Sequence, residues 1–263
     1  MKLNSLFLIR SAVFAACAIT LSSCNSDQSS GSAETPVSAG ITAGTTTTPT
    51  ATPTATATPT RSVTPTPTPT ATPVVSTGSY PSCVSSDTTH ICIGLKIVAY
   101  EDTTGVPTLT EAEAITLVNG MNTVWAQCNV GFQLENFQMI DPTTLGLPYD
   151  PNWDTQTDAI RQQFASSTQF LVVAVGALSG STIAVTRVPY SYEYGTIVES
   201  AYAQNPLTVG HELGHYQGLE HVSDSTNLMN PYIGANTRTL TASQCTTAIS
   251  TDSQYWNAMK RTP

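Results

Sequence analysis

Thr208-Val209-Gly210-His211-Glu212-Leu213-Gly214-His215-Tyr216-Gln217-Gly218-Leu219-Glu220-His221 decides how the rest of the chain is read. His211 and His215 are four residues apart, so on a helix both imidazoles leave the same face and can converge on one ion. A helix running straight on would carry a third ligand away. Gly218 can adopt a left-handed conformation without a Cβ penalty, and so can turn the chain to bring His221 back. The chain has 4 histidines, and three of them fall inside this motif. A solvated helical face has no reason to concentrate them so. Three imidazole ligands leave a fourth position open, the arrangement of catalytic rather than structural zinc. Glu212 is not needed as a ligand and is placed to accept a proton from water at that position. Downstream, Asn227-Leu228-Met229-Asn230-Pro231 follows at a distance that suits a tight turn carrying Met229 under the metal.

The motif H-E-x-x-H-x-x-G-x-x-H with a following methionine resembles that of the metzincin metalloendopeptidases. The spacing of His221 to Met229, with Asp224 between and Leu228-Met229-x-Pro231 at the turn, is most similar to the matrixin branch. The resemblance implies Zn2+ held by His211, His215 and His221, with Glu212 catalytic and Met229 as the floor beneath the ion. It also implies an α+β fold: a mixed twisted sheet of about five strands, an N-terminal helix, a zinc-binding active-site helix and a C-terminal helix. The sequence departs from the branch in two places. Val222 stands where matrixins carry Ser, and the propeptide sequence Pro-Arg-Cys-Gly is absent.

Residues 1–23 open with Lys2 and Arg10 and run through an apolar stretch too short for a membrane-spanning helix, which reads as an export signal. Leu21-Ser22-Ser23-Cys24 resembles the lipobox of bacterial lipoproteins, implying cleavage before Cys24 and lipidation of its thiol. The protein is then expected to be an exported lipoprotein of the cell envelope or cell surface, tied to a membrane through Cys24. Residues 24–79 are Ser-, Thr-, Ala-, Gly- and Pro-rich, with Thr-Pro repeats, and cannot bury a core. They read as an extended, disordered stalk.

Residues 80–263 are long enough for one domain with a proper core. They carry six Lys or Arg against sixteen Asp or Glu, a balance that argues against nucleic acid as a partner. A protein or peptide substrate and a monomeric state are expected. Four cysteines remain, Cys83, Cys92, Cys128 and Cys245, and an even count in an exported protein favours disulfides. Of the three pairings, Cys83 with Cys92 and Cys128 with Cys245 is the one expected, closing a short loop at the start of the domain and tying its first helix to its last.

The coarse reading of elements is a strand over 91–100, a helix from a Thr110/Glu113 capping box to about 127, and a strand over 130–140. A helix over 157–164, a buried strand over 169–175 and strands over 182–188 and 196–202 follow, before the histidine helix. By analogy with metzincins, the strand around 183–187 would be the cleft edge, the alternative being an ordinary member of the sheet, and residues 232–239 would wall a side pocket, with Tyr232 turned toward the metal, set in that wall or facing solvent. Asp150, Asn152, Asp154 and Asp158 alternate like a calcium loop, yet Thr155 replaces the required Gly and Arg161 the final acidic ligand. Ca2+ is therefore unsupported there, and Asp154 or Thr155 is expected to cap the following helix. His90 is expected at the surface.

The function expected is hydrolysis of peptide bonds by a metal-activated water with Glu212 as general base. The alternative is a non-catalytic surface adhesion or binding module on the same fold. Such a module has no physical need of a general base beside the metal.

Overall fold

A computed structural model of the chain describes residues 74–76, 80–152, 156–187 and 194–263. Cys24, the segment read as an export signal and most of the segment read as a stalk lie outside the described residues. Among those described, no helix is long and apolar enough to cross a membrane.

The elements run β1 (Val74–Ser76), β2 (Ile91–Tyr100), α1 (Glu111–Trp125), β3 (Val130–Ile140), α2 (Thr157–Phe164), β4 (Phe170–Val175), β5 (Ala184–Thr186), β6 (Thr196–Glu199), α3 (Pro206–Tyr216), α4 (Ala242–Gln254) and β7 (Lys260–Arg261). They form one mixed sheet of order β1-β3-β2-β4-β6-β5, with β7 paired to β2 off this path. β2 is parallel to β3 and β4, and β4 is parallel to β6, while β5 runs antiparallel to β6 and β1 antiparallel to β3. The α+β class and the mixed sheet are those expected.

β2 and β4, at the centre, are apolar but for Lys96, because both faces of the sheet are covered. Along β2, Ile93, Leu95, Ile97 and Ala99 enter one buried cluster, and Val98 and Tyr100 enter a second. β4 divides the same way, Phe170, Val172 and Ala174 to the first cluster and Leu171, Val173 and Val175 to the second. This is the two-residue period of a strand with a core on each side. α1 and α3 cover the first face with Ala114, Leu117, Met121 and Trp125, and with Val209 and Leu213. Ile160 and Phe164 of α2 cover the second.

α1 begins at the expected capping box: Thr110 and Glu113 bond reciprocally through side chain and backbone. Trp125, at its far end, donates from Nε1 to the Gly210 carbonyl at 3.2 Å and so fixes α1 against α3. The sheet differs from expectation at its margins. β1 lies upstream of residue 80, within the segment read as stalk, where Val74 and Val75 supply β-branched residues to an otherwise Thr- and Pro-rich run. β6 stops at Glu199 and gives way to a 3-10 turn at Ser200–Tyr202, because its partner β4 ends at Val175 and offers no further ladder. α2 begins after Gln156, whose side chain makes no capping bond to the helix; Asp154 and Thr155 lie outside the described residues.

The two disulfides are Cys83–Cys92 and Cys128–Cys245, the pairing expected. The second spans 117 residues of chain. Loop-closure arguments value a cross-link of that span at about 4–5 kcal/mol, before any native strain is subtracted. Reduction should lower the melting temperature markedly, with Cys128→Ala/Cys245→Ala causing the larger part of the loss and Cys83→Ala/Cys92→Ala, whose short loop is valued at about 2.5 kcal/mol, the smaller part. Calorimetry of the two double variants measures the difference.

Candidate metal centre

α3 starts where the sequence provides for it. Asn205 accepts from the Leu207 N–H through its side chain, and Pro206 occupies the first turn, where its missing N–H costs nothing. The helix ends at Gly218, whose φ of 77° is left-handed, with Leu219 N–H bonded back to the Gly214 carbonyl at 2.9 Å. The chain then doubles back, as the glycine predicts, and His221 meets the two helical histidines.

The three Nε2 atoms form a small triangle: His211 to His215 3.1 Å, His215 to His221 3.1 Å, and His211 to His221 3.2 Å. Tetrahedral nitrogen ligands about 2.0–2.1 Å from a zinc ion stand about 3.3–3.4 Å from one another. The triangle fits a cation of that size. Two of the rings are aimed by their other nitrogen. His211 Nδ1–H donates to the Leu228 carbonyl at 2.7 Å and His215 Nδ1–H to the Leu219 carbonyl at 2.8 Å. That tautomer turns the Nε2 lone pairs inward, toward an ion. Burial, with the neighbouring imidazoles next, pushes the pKa of His211 down to about 3, and burial followed by His221 pushes His215 down to about 4. Burial also lowers His221. All three are held in the neutral form that binds metal. His211 is buried, while His215 and His221 are half-buried, so the centre is reached from solvent on their side. Among the described residues, this is the one group of histidine, cysteine or acidic side chains close enough to hold an ion together.

Glu212 is buried on the same helix. Its Oε2 accepts a hydrogen bond of 2.6 Å from the Thr186 hydroxyl on β5, and Thr186 is in turn 2.8 Å from the Thr196 hydroxyl on β6. β5 ends the sheet.

Met229 is buried with no exposed surface and packs against the back of α3, its sulfur lying where a side chain at residue 214 would stand. Gly214 therefore serves close approach rather than backbone freedom. The turn bearing Met229 is held by Asn227, which is buried. Its Oδ1 accepts from Met229 N–H at 2.9 Å, and its amide exchanges two hydrogen bonds with Gln244 of α4, at 2.8 and 3.1 Å. Because Leu228 lies inside this turn and its carbonyl orients His211, Asn227 and Gln244 act on the metal site from behind. Neither residue was singled out by the motif, although Gln244 also completes a capping box with Thr241 that the pattern Thr-x-x-Gln makes visible.

The remaining candidates lie elsewhere. Tyr232 is 61 % exposed, with its N–H held by Asn230 Oδ1. Asp158 is ion-paired with Arg161 and Arg187, and Asp150 accepts from Ala177 N–H at 2.6 Å, so these two are spent on separate structural contacts, while Asp154 lies outside the described residues. Partly buried His90 bonds Asn129 through Nδ1 at 3.0 Å.

Two substitutions on α3 should differ in sign. At Gly214, a methyl group must displace the buried Met229 sulfur, and overpacking of about 1–3 kcal/mol outweighs the helix propensity gained. At Gly210 the nearest atom, Trp125 Nε1, is 3.5 Å away, an ordinary contact, so Gly210→Ala should keep most of a propensity gain of about 1 kcal/mol. Thermal melts should show Gly214→Ala destabilised and Gly210→Ala unchanged or stabilised.

Residues 143–249 match the family model of the matrixins. No protein of curated function matches the sequence. The fold is similar to the crystal structure of metalloproteinase-II from Bacteroides fragilis, with 14 % identity and a TM-score of 0.45, over 64 % of this chain and 55 % of that one. The resemblance first carried by His211 to Met229 thus extends, through the matrixin match, from the segment before α2 to α4, and the α+β class and mixed sheet of the described domain are consistent with a metzincin-like domain.

Proposed function

We infer that the domain is a zinc-dependent endopeptidase with Glu212 as its general base. One observation carries this reading: the Nε2 atoms of His211, His215 and His221 converge to within 3.1–3.2 Å of one another, and the helix that supplies two of them also carries the buried carboxylate of Glu212. Zinc, when bound by His211, His215 and His221, supplies a Lewis acid that lowers the pKa of a coordinated water to about 7. Glu212 takes the proton of the attacking water on its carboxylate and later delivers it to the nitrogen of the departing amine, so the carboxylate ends the cycle as it began. Imidazole geometry is set by the Leu228 and Leu219 carbonyls. Met229 packs beneath.

β5 supports the choice of an extended peptide as substrate. Antiparallel pairs alternate between those that exchange both hydrogen bonds and those that do not. The Glu199 N–H bonds the Ile183 carbonyl, so Val185 also points its backbone groups at β6, while Ala184 and Thr186 point theirs to the outer side. Pairing of a substrate strand there would give affinity with little dependence on its side chains.

Replacing Glu212 by Gln removes the proton acceptor and none of the imidazoles. The variant should keep its zinc and lose peptide cleavage by 10⁴-fold or about that, the upper end of general acid-base contributions, since one residue serves twice. His215→Ala should lose both zinc and activity. Metal analysis alongside a peptide-library assay separates these outcomes. Wild-type protein that holds zinc and cleaves nothing would favour a binding module instead.

We also propose, from the sequence alone, that the mature protein is held at a membrane through lipid on Cys24. Cys24→Ser should move the protein from the membrane fraction to the soluble one with the domain still folded. Persistence of the variant in the membrane fraction would place the anchor elsewhere.

A further inference from the structure

Thr186 and Thr196 play no part in the metal motif, yet they join to Glu212. An ionised carboxylate only accepts hydrogen bonds, so in the 2.6 Å contact with Glu212 Oε2 the Thr186 hydroxyl is the donor. A threonine hydroxyl has one proton. With that proton committed to Glu212, the 2.8 Å contact between Thr186 and Thr196 must be donated by Thr196. The chain of hydrogen bonds therefore has one direction, Thr196 to Thr186 to Glu212. All three residues are buried: Thr196 has no exposed surface, Glu212 1 % and Thr186 9 %. A hydrogen bond to a charged group is strong where water is excluded.

The contact crosses between elements. Glu212 is on α3, Thr186 on the sheet edge and Thr196 on the neighbouring strand, directly opposite in the β5–β6 register. That edge is itself fastened from below. Arg161 of α2, fully buried, donates to the Val185 carbonyl at 2.9 Å and to the Gly195 carbonyl at 2.7 Å, gripping the residues just before Thr186 and Thr196.

We propose that Thr186, supported by Thr196, is a positioning residue for the general base. By holding Oε2 of Glu212, it fixes the rotation of the carboxylate and presents the other oxygen in one orientation toward the proton it takes. The proposal rests on the peptidase reading above and adds a requirement that the motif does not contain. A glutamate side chain has three rotatable bonds, and a general base must lie within hydrogen-bond reach of its proton. The bond from Thr186 removes the freedom that would otherwise work against this.

The test compares Thr186→Val, which keeps the β-branched shape and loses the hydroxyl, with Thr186→Ser, which keeps the hydroxyl, both in the full-length zinc-loaded protein. Thr186→Val should retain zinc and lose about 10- to 100-fold in kcat, with KM close to wild type. Thr186→Ser should restore most of kcat. Thr196→Val, which removes only the supporting donor, should fall between them. A merely structural role would act differently, since damage to the strand that receives substrate raises KM and is not repaired by the smaller serine. Crystal structures of the zinc-loaded proteins supply a readout independent of turnover: one Glu212 carboxylate orientation in wild type and Thr186→Ser, several in Thr186→Val. Should Thr186→Val fail to fold, Thr186→Ala takes its place in the same comparison. The proposal is overturned if the hydroxyl-free variant keeps wild-type kcat, if the loss lies in KM alone, or if the carboxylate keeps its orientation without the hydroxyl. If wild-type protein binds zinc but cleaves no peptide, the peptidase reading fails, and the crystallographic comparison still decides whether Thr186 sets the carboxylate.

Discussion

Three nitrogen lone pairs aimed at one point repel each other, and each prefers water to its neighbours. Holding them 3.1–3.2 Å apart requires a scaffold that outweighs this preference before any ion arrives. Most of what is particular to the domain serves that constraint. The helix supplies two imidazoles at the right spacing, and a left-handed glycine supplies the reversal that brings the third. Two backbone carbonyls, from Leu219 and Leu228, choose the tautomer. Those carbonyls are themselves in tight turns, so the demand for precision is passed outward, from the histidines to the turn around Met229 and from there to the last helix.

The sheet answers the same demand from the other side. α3 lies on a face built of strict alternation in β2 and β4, with aromatic contacts that leave little freedom. Phe170 stacks on Tyr216 at 4.6 Å between ring centroids, and Trp256 meets both edge-on while its Nε1 bonds the Tyr216 carbonyl at 2.7 Å. Packing of this density makes an interior stiff, and a stiff interior holds a helix in register over the width of a metal site. The buried Arg161 extends this rigidity to the edge strand. Burial lowers its pKa, which Asp158 beside it counters, and its donors reach carbonyls on both sides of the segment that leads from β5 into β6.

How much of this could be read in the sequence depended on whether the signal was local. His211, Glu212, His215, Gly218 and His221 are legible because a helix fixes the geometry of near neighbours, and the capping box of α1 and the apolar runs of β2, β3 and β4 are legible for the same reason. The cysteine pairing came within reach because only four thiols follow the stalk. Contacts between distant segments left no such trace. Thr186 is an unremarked threonine in a short strand until β5 meets α3. Gly214 reads as a weak helix residue until Met229 is placed behind it. Asn227 and Gln244 look like ordinary polar residues, and only the two hydrogen bonds between their amides show that they form one unit. Residues 74–76 were hidden differently, by the composition around them: two valines and a serine at the end of a long polar run do not announce a strand, and they become one only because the outer side of β3 needs a partner.

The pairing of Asn227 with Gln244 has a consequence in time. Chains are made from the N-terminus, and all three motif histidines have been added by residue 221. The residue that locks the turn behind His211 comes later, in the final helix, and Cys245, which ties that helix to the end of α1, follows it immediately. A chain still being synthesised therefore has its three imidazoles before it has a rigid centre to offer an ion. The three histidines are thus present in the growing chain well before the contacts that make their geometry rigid, and the centre is the last part of the domain to be completed.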